Sequence, residues 1–103
     1  MQKIRLFKPS IGKEELKNIK NVFKKSWLGY GPMVAKFEKK FAKFIGTKYC
    51  VGVNSGTAAL HLSLLCNDFK RGKKVLLPAI TFSATAASVL YCGLKPKFVD
   101  IKK

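Results

Sequence analysis

Eight residues carry the clearest chemical pattern in this chain: Val53-Asn54-Ser55-Gly56-Thr57-Ala58-Ala59-Leu60. They join a short apolar run, residues 49–53, expected as a strand, to an apolar run, residues 58–65, expected as a helix. A strand that ends in Ser-Gly-Thr and opens a helix leaves unpaired backbone N–H groups at the helix start, and Gly56 permits close approach. Those donors, the helix dipole and two hydroxyls suit a phosphate. Residue types alone indicate a phosphate-bearing ligand without saying which one. Ser and Thr also favour helix N-caps for purely structural reasons, so the bland reading stands beside the chemical one.

The surrounding elements follow from periodicity and turn residues. Residues 1–10 are expected to be extended. Leu16, Ile19, Val22 and Phe23 recur at helical steps, with Glu14 and Glu15 in the first turn and Lys24 and Lys25 in the last, complementing the dipole. Residues 26–32 form a glycine-rich loop with the only tryptophan, and Pro32 suits the first turn of the next helix. That helix carries Val34, Phe37, Phe41, Phe44 and Ile45 on one side and is closed by Gly46. Val75-Leu76-Leu77 reads as a buried strand ended by Pro78, residues 81–92 as a helix ended by Gly93, and residues 97–101 as a further strand. Two helices followed by β-α-β-α-β, with crossovers long enough for parallel strands, argue an α/β sheet. Ligands in such sheets sit beyond the carboxyl ends of strands, where the 54–57 and 79–83 turns fall.

Composition narrows the function classes. The chain has 103 residues, one domain's worth at most. Its 21 basic and 5 acidic residues give a net charge of +16, which raises nucleic acid as a partner. The lysines, however, fall largely opposite the apolar stripes, and only Arg5 and Arg71 are arginine, the better reader of bases and phosphates. This weighs against specific nucleic-acid binding; a small basic nucleic-acid-binding protein remains the alternative from a different class. Cys50, Cys66 and Cys92 are odd in number and lack C-x-x-C spacing, which excludes an evident zinc site or disulfide framework. They are expected as reduced, buried thiols of a cytoplasmic protein. No signal peptide is visible, and residues 75–94, with Pro78 and Gly93, read as strand, turn and helix rather than a membrane span. His61, the only histidine, has no ligand partner at metal spacing and reads as a packed helix residue.

Four blocks, in order, resemble the DegT/DnrJ/EryC1/StrS family of sugar aminotransferases. They are Trp27-Leu28-Gly29-Tyr30-Gly31-Pro32 with Phe37-Glu38 and Phe41-Ala42; the 53–62 turn and helix; Pro78-Ala79-Ile80-Thr81-Phe82-Ser83-Ala84-Thr85; and Pro96-Lys97-Phe98-Val99-Asp100-Ile101. The resemblance implies the large domain of a fold-type I aminotransferase that binds pyridoxal 5′-phosphate (PLP). Residues 1–33 would be its N-terminal segment, helix and glycine-rich loop, and residues 34–103 the incomplete start of the PLP-binding α/β domain. It implies that Gly56, Thr57 and Ala58 hold the cofactor phosphate, that Phe82 stacks on the pyridine ring, and that Trp27, Gly29 and Tyr30 lie where substrate is contacted. Ser55 is expected to shape the turn, and Asp100 is given no chemistry.

The implied reaction transfers an amino group from glutamate to a keto group of a nucleotide-linked sugar; a PLP-dependent sugar dehydratase of the same family is the alternative. No catalytic residue is expected among these positions, because the family's Schiff-base lysine lies downstream of the blocks seen here. The chain therefore reads as the N-terminal piece of a longer enzyme, inactive as a transaminase alone and homodimeric when complete.

Overall fold

The computed structural model describes residues 7–102, so residues 1–6 of the extended run expected over 1–10 lie outside the described residues. The chain divides into two compact units, Met1–Gly52 and Val53–Lys103.

The first unit holds two helices, α1 (Lys13–Lys24) and α2 (Pro32–Ile45). Helix α1 starts after Gly12, whose N–H donates to Glu15 Oε2 at 2.7 Å, the return half of a capping box. Backbone N–H donors, its own and that of Gly12, hold the Glu15 carboxyl below its ordinary value. A carboxyl whose folded value is lowered stabilises the fold above the ordinary carboxylate range and loses that contribution as pH falls through the lowered value. Helical Cα chemical shifts of residues 13–16 should therefore decay on acidification from about pH 6 to about pH 2. Glu15→Gln should flatten the decay while keeping the cap, since a glutamine oxygen accepts the same bond without titrating.

Helix α2 begins with Pro32 at its first position, where the missing N–H costs nothing. It ends at Gly46, whose φ of 81° lies in the left-handed region that a side chain disfavours. Among the described residues α1 has no buried side chain and α2 only Ala42, so the apolar stripes of both helices are exposed.

The second unit is a helix followed by a β-α-β unit: α3 (Gly56–Leu65), β1 (Lys74–Pro78), α4 (Ser83–Tyr91) and β2 (Lys95–Val99). The strands are parallel, in register from Lys74 opposite Lys95 to Pro78 opposite Val99. Nine-residue α4 supplies the crossover that parallel strands need. Val89 of α4, Leu77 of β1 and Leu94 form the buried core, with Leu64, Val75, Ala86 and Cys92 packed against it. Ser88 is fully buried on α4; its hydroxyl is 2.7 Å from the Ala84 carbonyl and 3.4 Å from the Thr57 carbonyl. It thereby places the first turn of α3 against α4. None of the described helices is long and apolar enough to cross a membrane.

Four expectations need correction. Residues 49–53 do not form the first strand: among the described residues the sheet has two strands, and Tyr49 and Val51 are exposed. Apolar side chains do not make a strand without a neighbouring ladder, and the Gly52 N–H donates instead to the Glu38 carboxylate. The helix expected from residue 81 begins at Ser83, and the strand expected over 97–101 spans Lys95–Val99. Pro96 does not prevent this, because a sheet of two strands consists of edges, where a missing N–H is tolerated. The thiols are not uniformly buried: Cys50 and Cys92 are half-buried and Cys66 is exposed. Cys66 is the C-cap residue of α3, just past its last turn.

Candidate cofactor-phosphate site

The 54–57 turn is built by capping. Ser55 has extended backbone and its hydroxyl accepts the Ala58 N–H at 3.1 Å, while its carbonyl accepts the Ala59 N–H at 3.1 Å. Ser55 thus shapes the turn, and the Ala58 N–H is directed to it. Gly56 and Thr57 are the first two residues of α3, where the helix offers no intrahelical partner for an N–H. Among the described residues neither N–H has a hydrogen-bond partner, nor does the Thr57 hydroxyl. The ten-residue helix behind them directs the positive end of its dipole to the same place.

Gly56 and Thr57 line an open hollow of about 450 Å³ with Ala59, Leu60, Phe82, Ala84 and Thr85. Phe82 follows the carboxyl end of β1 and is the N-cap of α4, with backbone in the extended region. It is 78% exposed, so it is not a core residue of the second unit. Two helix starts and one uncovered ring therefore border one space. Among the described residues no carboxylate lines it. A Cβ added at Gly56 would meet nothing within 4 Å among the described residues, so they leave the space in front of this backbone open. Unpaired N–H donors, a free hydroxyl, a helix dipole and an aromatic face suit a flat, phosphorylated, anionic ligand. His61, on the same helix, is half-buried with its ring edge-on to Tyr91 at 5.5 Å, a packing contact.

The residues expected near substrate lie in the first unit. Trp27 Nε1 donates to the Tyr30 carbonyl at 2.8 Å, folding the 27–30 loop on itself. A Cβ at Gly31 would run into the Trp27 indole, which explains a glycine there. Trp27 and Gly29 line a pocket of about 190 Å³ with Val22, Lys25, Pro32 and Met33. Tyr30 lies elsewhere: its hydroxyl donates to Glu38 Oε2 at 2.9 Å. That bond, with the repulsion a phenolate would feel from the same carboxylate, pushes the Tyr30 hydroxyl above its ordinary value.

Sequence reasoning assigned no role to Glu38 or Ser88. Glu38 carried a signal, being one of five acidic residues in a lysine-rich chain. Ser88 carried none, since a serine in an apolar helix looks the same buried or exposed.

Comparison with known proteins identifies the family and the fold. The chain is 44% identical over 93 residues to the spore coat polysaccharide biosynthesis protein SpsC of Bacillus subtilis, covering 90% of this chain and 24% of that protein. It is 41% identical over 100 residues to a dTDP-4-dehydro-2,3,6-trideoxy-D-glucose 4-aminotransferase of Saccharopolyspora spinosa, covering 95% and 26% respectively. Among solved structures it is similar to E. coli GDP-4-keto-6-deoxy-D-mannose-3-dehydratase with bound hydrated PLP. The TM-score is 0.86 at 33% identity, over 94% of this chain and 26% of that one. The chain thus spans about a quarter of the length of the curated relatives it matches. The family model described as the DegT/DnrJ/EryC1/StrS aminotransferase family matches residues 9–103, and with four sequence blocks and an α/β unit of the same shape, the chain belongs to that family.

Proposed function

We propose that this chain is the cofactor-anchoring part of a PLP-dependent aminotransferase acting on a nucleotide-linked keto-sugar, with glutamate as amino donor. The observation that carries the reading is the hollow bordered by the unpaired N–H groups of Gly56 and Thr57 and by the exposed Phe82 ring. These residues fit PLP. The Gly56 and Thr57 N–H groups and the Thr57 hydroxyl bind the phosphate, and Ala58 contributes by sharing its N–H with Ser55. Phe82 covers one face of the ring and excludes water from it. Bound PLP supplies the electron sink for amino transfer. Trp27, Gly29 and Tyr30 contact substrate. The substrate class is supported by relatives whose names specify dTDP- and GDP-linked sugars.

The division into an N-terminal segment, 1–33, and the start of the large domain, 34–103, belongs to the same proposal, as do a homodimeric assembly and a cytoplasmic location. A sugar dehydratase is the second reading, favoured by the likeness to the E. coli 3-dehydratase.

The full protein, supplied with PLP, glutamate and a nucleotide-linked keto-sugar, should release 2-oxoglutarate and an aminosugar in equal amounts. A deoxy-keto-sugar with no new C–N bond, formed with equal amounts of 2-oxoglutarate and free ammonia as glutamate supplies the two electrons, would establish the dehydratase instead. Neither product, with no uptake of PLP, would contradict the proposal.

A further inference from the structure

One carboxylate in the first unit holds two separate stretches of chain. Glu38, half-buried on α2, accepts the Tyr30 hydroxyl on Oε2 at 2.9 Å and the Gly52 N–H on Oε1 at 2.7 Å. Tyr30 is in turn bound through its carbonyl to Trp27 Nε1. Gly52 lies close against α2: a Cβ there would come within 3.2 Å of Val34 Cγ1 and 3.4 Å of Glu38 Oε1. A larger residue would displace the backbone from the carboxylate. Both bonds are charge-assisted, and the Gly52 N–H bond at 2.7 Å is also short, the class of hydrogen bond that holds geometry most firmly. The high titration of the Tyr30 hydroxyl is the electrostatic counterpart of one arm. Gly52 continues directly through Val53 and Asn54 into the Ser55 cap.

From this geometry we infer that Glu38 is a positioning residue joining the 27–30 loop to the backbone that runs into the phosphate turn. Its two oxygens fix the two segments in one arrangement. Losing the carboxylate therefore loosens both segments, whereas losing one arm loosens chiefly its own. The consequence for cofactor binding rests on the function proposed above; the coupling of the two segments does not.

The test uses hydrogen exchange of the full protein in three variants, followed by PLP titration. Glu38→Ala should speed amide exchange about tenfold in both 26–31 and 50–55, the loss expected for hydrogen bonds to a charged group. Exchange in the α4–β2 region should stay unchanged. Glu38→Gln should restore both segments, because its carbonyl accepts from Gly52 and its NH2 donates to the Tyr30 oxygen. Tyr30→Phe removes one arm only and should loosen 26–31 more than 50–55. PLP affinity should fall about tenfold in Glu38→Ala and recover in Glu38→Gln, following the same hydrogen bonds.

Unchanged exchange at 50–55 in Glu38→Ala overturns the inference, as does a Glu38→Gln protein as loose as Glu38→Ala. If Glu38→Ala does not fold, wild-type rates in Glu38→Gln with selective loosening in Tyr30→Phe support it, and equal rates in Tyr30→Phe and wild type overturn it. The expected exchange pattern in a wild-type protein that takes up no PLP upholds the coupling and contradicts the proposed function.

Discussion

Thr57→Asp is expected to weaken PLP binding by about a hundredfold or more while leaving the fold as stable as before, or slightly more so. The two effects have opposite signs because they come from different physics. A carboxylate in the first turn of α3 interacts favourably with the helix dipole, by about 0.3–1 kcal/mol at an exposed position. The same carboxylate would stand a few ångströms from a phosphate. Two like charges about 4 Å apart repel by roughly 4 kcal/mol in surroundings typical of a protein surface, which exceeds the dipole gain. If 55–58 were only a helix cap, the substitution would be neutral or stabilising with no effect on any ligand. Thermal unfolding and PLP fluorescence titration on one preparation separate the cases. Thr57→Ser, which keeps the hydroxyl, should stay close to wild type in both.

Phe82→Ala is expected to cost about tenfold to a hundredfold in PLP affinity, the range for removing an aromatic platform from under a flat heterocycle. Its effect on unfolding should be small, because Phe82 is 78% exposed and its ring leaves the Val89 core untouched. Phe82→Tyr should retain most of the affinity, since the stacking face is preserved. A Phe82→Ala protein that binds PLP normally but unfolds several degrees lower would make the ring a packing residue and remove it from the site.

Local signals were legible wherever the physics is local. Pro32 at a helix start, Gly46 at a helix end, and the capping serine before Gly56 are each decided within one turn of chain, and the structure has them where the residues indicate. The β-α-β unit was legible for a similar reason: Val75-Leu76-Leu77 and residues near Phe98 are short apolar runs separated by a crossover of adequate length. Residues 49–53 show where such reading fails. Tyr49, Val51 and Val53 have the pattern of a strand, but a ladder depends on a neighbour, and a single sequence does not display one. The exposed stripes of α1 and α2 are the same case for helices, since periodicity identifies the apolar face and not what lies against it.

The site was legible in its parts but not in its support. Gly56, Thr57 and Phe82 stand out by type and by position after strand-like runs, and one hollow borders all three. Glu38, which lies 14 positions from Gly52 in sequence, has a role only in three dimensions. Ser88, 31 positions from Thr57, is comparable. Trp27 and Tyr30 stand out in the sequence as aromatic residues in a glycine loop. Their observed contacts, an indole N–H to a carbonyl and a phenol to a carboxylate, first describe how that loop is held.

The most direct test is to follow the backbone amide resonances of Gly56 and Thr57 in the full protein during titration with PLP, and separately with pyridoxal, which lacks the phosphate. A phosphate held at the start of α3 should move both amides strongly downfield with PLP and much less with pyridoxal, while the Phe82 ring protons respond to both. Equal amide shifts with the two ligands, or PLP bound with Gly56 and Thr57 unmoved, would contradict it.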